Sequence, residues 1–230
     1  MKLVEAAVRP AVEEDFPALS TVMADAFVAR PIGAWLVPDV AERPALLHRY
    51  AHLVLTHGFE HGQVDTTDDL AAVTVWYRRL EPAPPAATWM YDLDRLLGPH
   101  APRFALLHAY VDAVLPHTPH HHLAHVAARP GQGGAARALL VSHHLRLDAE
   151  GLPAYTEISS TRPREDLFAW LGYEPRSPIL LEPGGPALWR MWRPQPGERL
   201  PGGLPRRVRL HRSATPFRGR VAAAAAPRFP

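Results

Sequence analysis

The stretch AARPGQGGAARALL, residues 127–140, contains residues whose types and spacing could bind a phosphate. Its pattern is the end of an apolar strand, a glycine-rich turn and the start of an alanine-rich helix. A helix N-terminus presents unpaired backbone N–H groups and a partial positive charge, and glycine lets a phosphate approach those groups closely. A tight connection without any ligand would have the same pattern. The residues that would hold a diphosphate here are Gln132, Gly133, Gly134, Ala135, Ala136 and Arg137.

A glutamate and a group of histidines are the other candidates for chemistry. Glu157 lies in the strand-like segment AYTEIS, where the simplest interpretation is a structural ion pair with an arginine. Successive strand residues point to opposite faces, so His120 is expected to share a face with His122, and His121 with His125. No carboxylate pattern accompanies these histidines, and we predict no metal site.

Alternating helical and strand-like segments must position these groups. Apolar residues at helical spacing predict helices over residues 16–27, 41–57, 101–117, 133–151 and 164–172. Period-two alternation predicts a short strand near residue 8, a hairpin over 62–77, and strands over 120–128, 152–159, 176–182 and 186–193. This alternation predicts an α/β fold with a mixed sheet flanked by helices.

Several polar or aromatic residues have a simple structural interpretation. His143 and His144 are expected on a solvated helix face, and Asp65, Asp68 and Asp69 in the turn of the hairpin. Five tryptophans could line a substrate pocket or pack in the core, and the second role is the more common one. They are Trp76, Trp89, Trp170, Trp189 and Trp192.

The composition indicates one globular domain with an appendage. The chain has 230 residues, 47% of them hydrophobic, and no cysteine, which excludes disulfides, thiolate metal sites and cysteine nucleophiles. The acidic start is unlike a secretory signal, and no apolar run is long enough for a membrane span, so we expect a cytoplasmic protein. The net charge is +2, but residues 194–230 hold eight arginines and one glutamate, or +7, which leaves −5 for residues 1–193.

Residues 194–230 are rich in proline, glycine and arginine and have no apolar period. We expect this segment to be disordered or loosely attached to a domain formed by residues 1–193. Its arginines could bind nucleic acid, although no interleaved aromatic pattern favours that interpretation over a nonspecific basic extension. The oligomeric state stays open.

The succession PHTPHHHLAHVAARPGQGGAARALLVSHHLRLDAEGLPAYTEISS, followed by LFAWLGY, resembles the GNAT N-acetyltransferase superfamily. Within it, the motifs PHxPHHHLA, EGLPAYTEIS and LGY are similar to the actinobacterial branch that includes puromycin N-acetyltransferase. The resemblance covers roughly residues 6–193. It implies the GNAT fold, a mixed and mostly antiparallel sheet flanked by helices, and direct acetyl transfer from acetyl-CoA to the amine of a small, antibiotic-like molecule.

The resemblance also implies roles for individual residues. The strand around Val126 and Ala128 would pair its backbone with the pantetheine arm and donate an N–H to the acetyl oxygen. The glycine turn would hold the pyrophosphate, and Glu157 would be the base or the ammonium anchor. Arg164 falls where the family motif has an asparagine beside the cofactor. The first two helices and the hairpin loops would form most of the acceptor pocket.

Two departures from the family pattern suggest weaker catalysis. Either the phosphate loop is two residues shorter than that of the family, or it is shifted relative to it. In the shifted alignment, Gly134 and Ala136 take the two glycine positions of the family motif, and Gly131 replaces its first polar residue. Phe168 stands where the family has a tyrosine that protonates the departing thiolate. Tyr173 and Tyr155 could replace that acid, although their spacing does not favour it. The alternative function is therefore a GNAT-fold protein that binds CoA or a ligand with impaired turnover.

Overall fold

The computed structural model describes residues 7–81 and 87–198. The prediction of a disordered or loosely attached tail falls on residues that, from 199 onward, lie outside the described residues. The described strands are β1 (Val8–Pro10), β2 (Gln63–Thr67), β3 (Ala72–Arg79), β4 (His120–Ala128), β5 (Ala154–Ser159), β6 (Glu174–Leu180) and β7 (Ala187–Arg193). The helices are α1 (Phe16–Val28), α2 (Pro31–Leu36), α3 (Arg43–His61), α4 (Ala87–Leu97), α5 (Ala101–Asp112), α6 (Gly133–Glu150) and α7 (Leu167–Trp170), with 3-10 turns at Glu13–Asp15 and Gly98–His100.

The strands form one sheet in the order β1-β2-β3-β4-β5-β7-β6. Every neighbouring pair is antiparallel except β4 and β5, which run parallel. Helix α6 connects these two parallel strands, as a parallel crossover requires. The predicted α/β fold with a mixed, mostly antiparallel sheet is confirmed.

The two parallel strands separate soon after they pair. Only residues 121–123 of β4 have partners on β5, at positions 154–156, although β4 continues to Ala128 and β5 to Ser159. The hydroxyl of Thr156 donates to the carbonyl of Leu123 at 2.9 Å, where the pairing ends. Beyond that point the sheet is split between β4 and β5, and its two halves are held together at one end only.

A β-bulge in β4 changes which histidines share a face. Val75 of β3 pairs with His125, whereas its neighbour Trp76 pairs with Leu123, so Ala124 is the extra residue. A bulge residue shifts the alternation of side chains by one. The expectation that His121 and His125 share a face is therefore wrong, because His125 lies on the same face as His122.

Helices cover both faces of the sheet. Helices α1, α3, α4 and α5 pack on one face around a core that includes Leu19, Leu47, Val75 and Phe104. Helix α6 packs on the other face, where Leu140 and Leu147 contact Trp76 and Leu123. Helix α6 ends at Gly151, which has a φ of +67°, a conformation that glycine adopts without strain. This second face contains two groups that the sequence analysis misplaced.

His143 and His144 are 1% and 5% exposed, so the prediction of a solvated helix face is wrong. His143 stacks on Trp76 with ring centroids 3.9 Å apart, and its Nε2 lies 3.1 Å from His121 Nδ1. His144 Nε2 lies 2.9 Å from the hydroxyl of Tyr173. Each ring thus has a polar partner inside the protein, which offsets the cost of removing it from water.

Asp65 is also buried, at 1% exposure, whereas the sequence analysis placed it in the hairpin turn. It lies in β2, and its carboxylate accepts a hydrogen bond of 2.6 Å from Arg146 of α6. The charge of Arg146 compensates for the burial of the carboxylate, so the pair fixes α6 to the sheet. Asp68 and Asp69 do lie in the turn that connects β2 and β3.

Candidate active site

A cavity of about 340 Å³ opens where β4 and β5 separate. Its walls come from α1, α3 and α5 on the helical side, and from β3, β4 and β5 on the sheet side. Helices α1 and α3 correspond to the first two predicted helices, which were expected to contribute to an acceptor pocket. Glu157, Val126 and Phe168 line the cavity, so three of the positions singled out in the sequence lie together here.

Residues 124–128 of β4 present one unpaired backbone edge. On one side this segment pairs with β3 from Ala72 to Val75, whereas the β4–β5 pairing has already ended at Leu123. Backbone N–H and C=O groups without a ladder partner are ready to pair with an extended chain. Val126 lines the cavity, and Ala128 packs beside Ala135 on the face covered by α6. Both lie on the edge that was expected to pair with the pantetheine arm.

The glycine turn follows directly after this edge. Gly131 has a φ of +80°, and α6 begins at Gly133 with Gln132 as its N-cap. Among the described residues, no acceptor is found for the backbone N–H groups of Gly133 and Gly134. A Cβ added at either glycine would meet no atom within 4 Å, so the space in front of the helix is open. The turn therefore leaves two amides and the positive end of the helix dipole free for an anion.

The remaining predicted residues of the turn have different surroundings. Ala135 donates its N–H to the carbonyl of Gln132, at 3.0 Å, and its side chain is buried with that of Ala136 against Ala71 and Ala72. Gln132 and Arg137 are exposed. Arg164 is exposed in the segment between β5 and α7 and makes no hydrogen bond or ion pair among the described residues.

Glu157 and His122 form a buried pair inside the cavity. The Glu157 side chain is 8% exposed and the His122 side chain 6%, and Glu157 Oε2 accepts a hydrogen bond of 3.0 Å from His122 Nε2. The second carboxylate oxygen, Oε1, is buried and lacks a hydrogen bond among the described residues, as does His122 Nδ1. A buried carboxylate oxygen without a partner is costly to maintain, and a cationic ligand in the cavity would satisfy it.

Glu157 was expected in the site, whereas His122 was considered there only as a metal ligand. The described residues contain no group of three side chains that could hold a metal ion. His122 and Glu157 are far apart in the sequence, and only the parallel pairing of β4 with β5 brings them together. No local pattern indicates such a contact.

Phe168 is 7% exposed, lines the cavity and packs edge-on against Tyr173, with ring centroids 5.4 Å apart. Helix α7 holds it there, because Asp166 accepts a hydrogen bond from the N–H of Phe168 at 3.4 Å. Tyr173 and Tyr155 are fully buried and are not among the cavity-lining residues. Burial raises the pKa of each phenol, with the charge of Glu157 adding to the effect at Tyr155.

Two other tyrosines line the cavity, and both are hydrogen-bonded to histidines. The Tyr50 hydroxyl lies 3.0 Å from His108 Nε2, and the Tyr77 hydroxyl lies 2.8 Å from His57 Nδ1. Burial raises the pKa of both phenols. Of the tryptophans, Trp89 lines the cavity, Trp76 and Trp192 are buried elsewhere, and Trp170 is 81% exposed.

Comparison with solved structures identifies the architecture. One similar structure is that of the histone acetyltransferase HPA2 and related acetyltransferase from Corynebacterium glutamicum, with a TM-score of 0.61. The two sequences are 25% identical, and the match covers 86% of this chain and 98% of the other. The protein has the GNAT fold. A GCN5-related N-acetyltransferase from Rhodopseudomonas palustris matches with a TM-score of 0.51 and 12% identity, covering 84% of this chain and 98% of its own.

The polyamine N-acetyltransferase of Drosophila melanogaster has the same fold, with a TM-score of 0.51 and 14% identity, over 82% of this chain and 99% of its own. No protein-family model and no curated protein sequence matches the chain. In the described part of this GNAT-fold chain, no helix combines the length and apolarity that crossing a membrane requires.

Proposed function

We propose that the protein is an N-acetyltransferase that moves an acetyl group from acetyl-CoA to the amine of a small molecule. The observation that carries this proposal is the placement of three features at the split between β4 and β5. The unpaired edge of β4, the open amides of the glycine turn and the His122–Glu157 pair all adjoin that gap. The similarity to the C. glutamicum acetyltransferase, at 25% identity over most of both chains, supports an acetyltransferase activity.

The residues present fit acetyl-CoA. The amides of Gly133 and Gly134 would hold its pyrophosphate, and the edge around Val126 would pair with its pantetheine arm and donate an N–H to the acetyl oxygen. Bound there, acetyl-CoA supplies an activated acetyl group. The exposed Arg137 and Arg164 add positive charge to the surface beside the cofactor in this proposal.

Glu157 would bind and deprotonate the acceptor amine. Its Oε1 is free to accept a hydrogen bond from a substrate ammonium, while Oε2 is fixed by His122. The carboxylate would receive the ammonium proton as the nitrogen attacks, which is the task of a general base. His122 holds the carboxylate in one orientation and is a positioning residue. That the amine is antibiotic-like, and that the protein acts in the cytoplasm, stay predictions from the sequence.

A negative charge at the glycine turn is expected to block the cofactor. Gly134→Asp should weaken acetyl-CoA binding by about tenfold or more, since a carboxylate would stand where the pyrophosphate binds. The fold should tolerate the change, because the site is open and aspartate is favourable in the first turn of a helix. Isothermal titration with acetyl-CoA measures the effect. Gly134→Ala is the matched control and should bind within a few-fold of the wild type; equal affinity of all three proteins would contradict the proposed cofactor site.

Phe168 favours one alternative, a GNAT-fold protein that binds acetyl-CoA with impaired turnover. Phenylalanine has no proton to give to the departing thiolate, and Tyr155 and Tyr173 are not among the residues that line the cavity. A general acid contributes about 10²- to 10⁴-fold to such a step. Impaired turnover and ordinary catalysis therefore predict different responses when a hydroxyl is restored.

Phe168→Tyr is expected to raise kcat, by about tenfold or more if protonation of the thiolate limits turnover. The phenol would stand in the cavity at a position already occupied by a ring of the same shape. Release of free thiol from acetyl-CoA measures the rate, and Phe168→Leu, which removes the ring without adding a hydroxyl, is the control. If the wild type is active and Phe168→Tyr has the same kcat, the alternative of impaired turnover is rejected.

A further inference from the structure

Six of the side chains that line the cavity are aromatic rings in contact with one another, which we name the ring cluster. Its rings touch in sequence, with centroids 5.5 Å apart for Tyr77 and His57, 5.0 Å for His57 and Trp89, and 4.8 Å for Trp89 and His108. The succession continues through Tyr50, 6.0 Å from His108 and 6.5 Å from His125. The members are Tyr50, His57, Tyr77, Trp89, His108 and His125.

Both ends of the ring cluster lie next to the His122–Glu157 pair. Tyr77 of β3 is directly opposite His122 in the antiparallel register, and residues opposite each other share a face of the sheet. His125 follows His122 on β4 and is brought to the same face by the bulge. A ligand whose ammonium group reaches Glu157 therefore has aromatic side chains beside it, which favours a short linker between its amine and its ring.

The ring cluster offers an uncharged surface. Burial lowers the pKa of His108 to about 4 and that of His125 to about 3, and it also lowers the pKa of His57. These three imidazoles are neutral at pH 7. Flat neutral rings favour a flat apolar group by stacking and edge-to-face contact.

The balance of charged side chains in the cavity favours a ligand with one positive charge. Three carboxylates line it, those of Asp112, Glu157 and Asp166, against the two guanidinium groups of Arg30 and Arg79, so the carboxylates outnumber the guanidinium groups by one. Arg79 lies over the ring of Tyr77, 5.3 Å from its centroid, and has no ion-pair partner within 4.0 Å among the described residues. Its charge acts on Asp112, whose pKa burial raises and Arg79 lowers. A second positive charge on a ligand would meet Arg79 beside the ring cluster, and like charges in a cavity are costly.

We propose that the acceptor is an arylalkylamine, a single primary ammonium joined by a short linker to an aromatic ring, and that Arg79 excludes diamines and guanidino amines. This inference rests on the proposed acetyltransferase function and adds the class of its substrate. The amine binds at Glu157, and the ring binds among the rings of the ring cluster. Arg79 is then a specificity-determining residue, and it takes no part in the acetyl transfer itself.

Three amines test this proposal: 2-phenylethylamine, octylamine with the same number of carbon atoms, and agmatine with its guanidinium group. With wild-type protein and acetyl-CoA, kcat/KM for 2-phenylethylamine should exceed that for agmatine by about tenfold or more, and it should also exceed that for octylamine. Arg79→Glu should reduce or reverse the preference for 2-phenylethylamine over agmatine. Arg79→Gln should shift it in the same direction, so the test does not depend on one variant folding.

Arg78→Glu is the matched control. Arg78 is the neighbour of Arg79, lies on the other face of β3 and pairs with Glu150 at 3.5 Å, so the same charge reversal should leave the preference unchanged. The proposal would be overturned if kcat/KM for agmatine equalled that for 2-phenylethylamine. It would also be overturned if both Arg79 variants kept the wild-type ratio of these two values.

Amine binding separates this proposal from the proposed function. If acetyl-CoA binds but no amine is acetylated, the acetyltransferase proposal fails, and titration of each amine into the protein still measures the preference of the cavity. Tighter binding of 2-phenylethylamine than of agmatine would then support the inference alone. Tighter binding of agmatine would overturn it.

Discussion

Replacing Glu157 by glutamine is expected to lower kcat by about 10²- to 10⁴-fold, the range for loss of a general base. Glutamine has the same shape, and its oxygen can still accept the hydrogen bond that Glu157 Oε2 accepts from His122 at 3.0 Å. The variant should therefore fold normally and bind acetyl-CoA like the wild type, while it loses both the charge that binds the ammonium and the group that receives its proton. Steady-state thiol release with saturating acetyl-CoA measures the loss.

Glu174→Gln provides the control for this change. Glu174 is exposed on β6, outside the cavity, so the same loss of one carboxylate should leave kcat unaltered. If Glu157→Gln kept more than about a tenth of the wild-type rate, the carboxylate would not be the base, and His122 would become the first group to replace.

The second large effect concerns the free energy of unfolding in mild acid. Burial lowers the pKa of several histidines, and the four largest shifts bring it to about 4 for His108 and His121 and to about 3 for His125 and His144. Between about pH 6.5, where an unfolded histidine titrates, and pH 4, the unfolded chain binds protons that the folded protein does not bind. Stability is therefore complete above pH 6.5 and falls as the pH decreases through this window.

At pH 5 each of these histidines should cost about 2 kcal/mol of unfolding free energy, since the pH is about 1.5 units below the unfolded pKa. The lowered pKa values of Asp15 and Asp65 have their effect below the ordinary pKa of 3.8 and do not contribute at pH 5. Urea unfolding at pH 7 and pH 5 should therefore differ by several kcal/mol.

A pair of variants tests whether the buried histidines cause this loss. His144→Gln should reduce the difference between the two pH values, because it removes one buried group that resists protonation, whereas His48→Gln, at an exposed position on α3, should not change it. Equal stability of the wild type at pH 7 and pH 5 would show that these histidines bind protons in the folded state.

Much of the fold follows from patterns within single segments. The periodicity around Leu46, Leu47 and Tyr50 indicates a helix, and the alternation of Val73, Val75 and Tyr77 indicates a strand, and both elements are present. Helix α4 was not predicted, although Trp89, Leu93 and Leu97 are all buried and recur every four residues.

The contacts that build the site could not be predicted in the same way. Glu157 was singled out by its place in a motif that resembles the GNAT superfamily, and the glycine turn by a local pattern of glycines at the start of a helix. The bulge at Ala124, which brings His125 to the cavity, and the burial of His143 beside Trp76 depend on which strands and helices meet. Pairing between distant segments leaves no period in the sequence, so these side chains were assigned to the wrong surroundings.

The most direct test of the proposed transfer is the reaction product. Wild-type protein would be incubated with acetyl-CoA and a panel of primary amines that includes 2-phenylethylamine, and the N-acetylated amine and free CoA would be quantified by mass spectrometry. If acetyl is transferred at the split between β4 and β5, the two products form in equal amounts, and Glu157→Gln forms both of them at least about 10²-fold more slowly. No acetylated amine from any member of the panel, or equal yields from the wild type and Glu157→Gln, would contradict it.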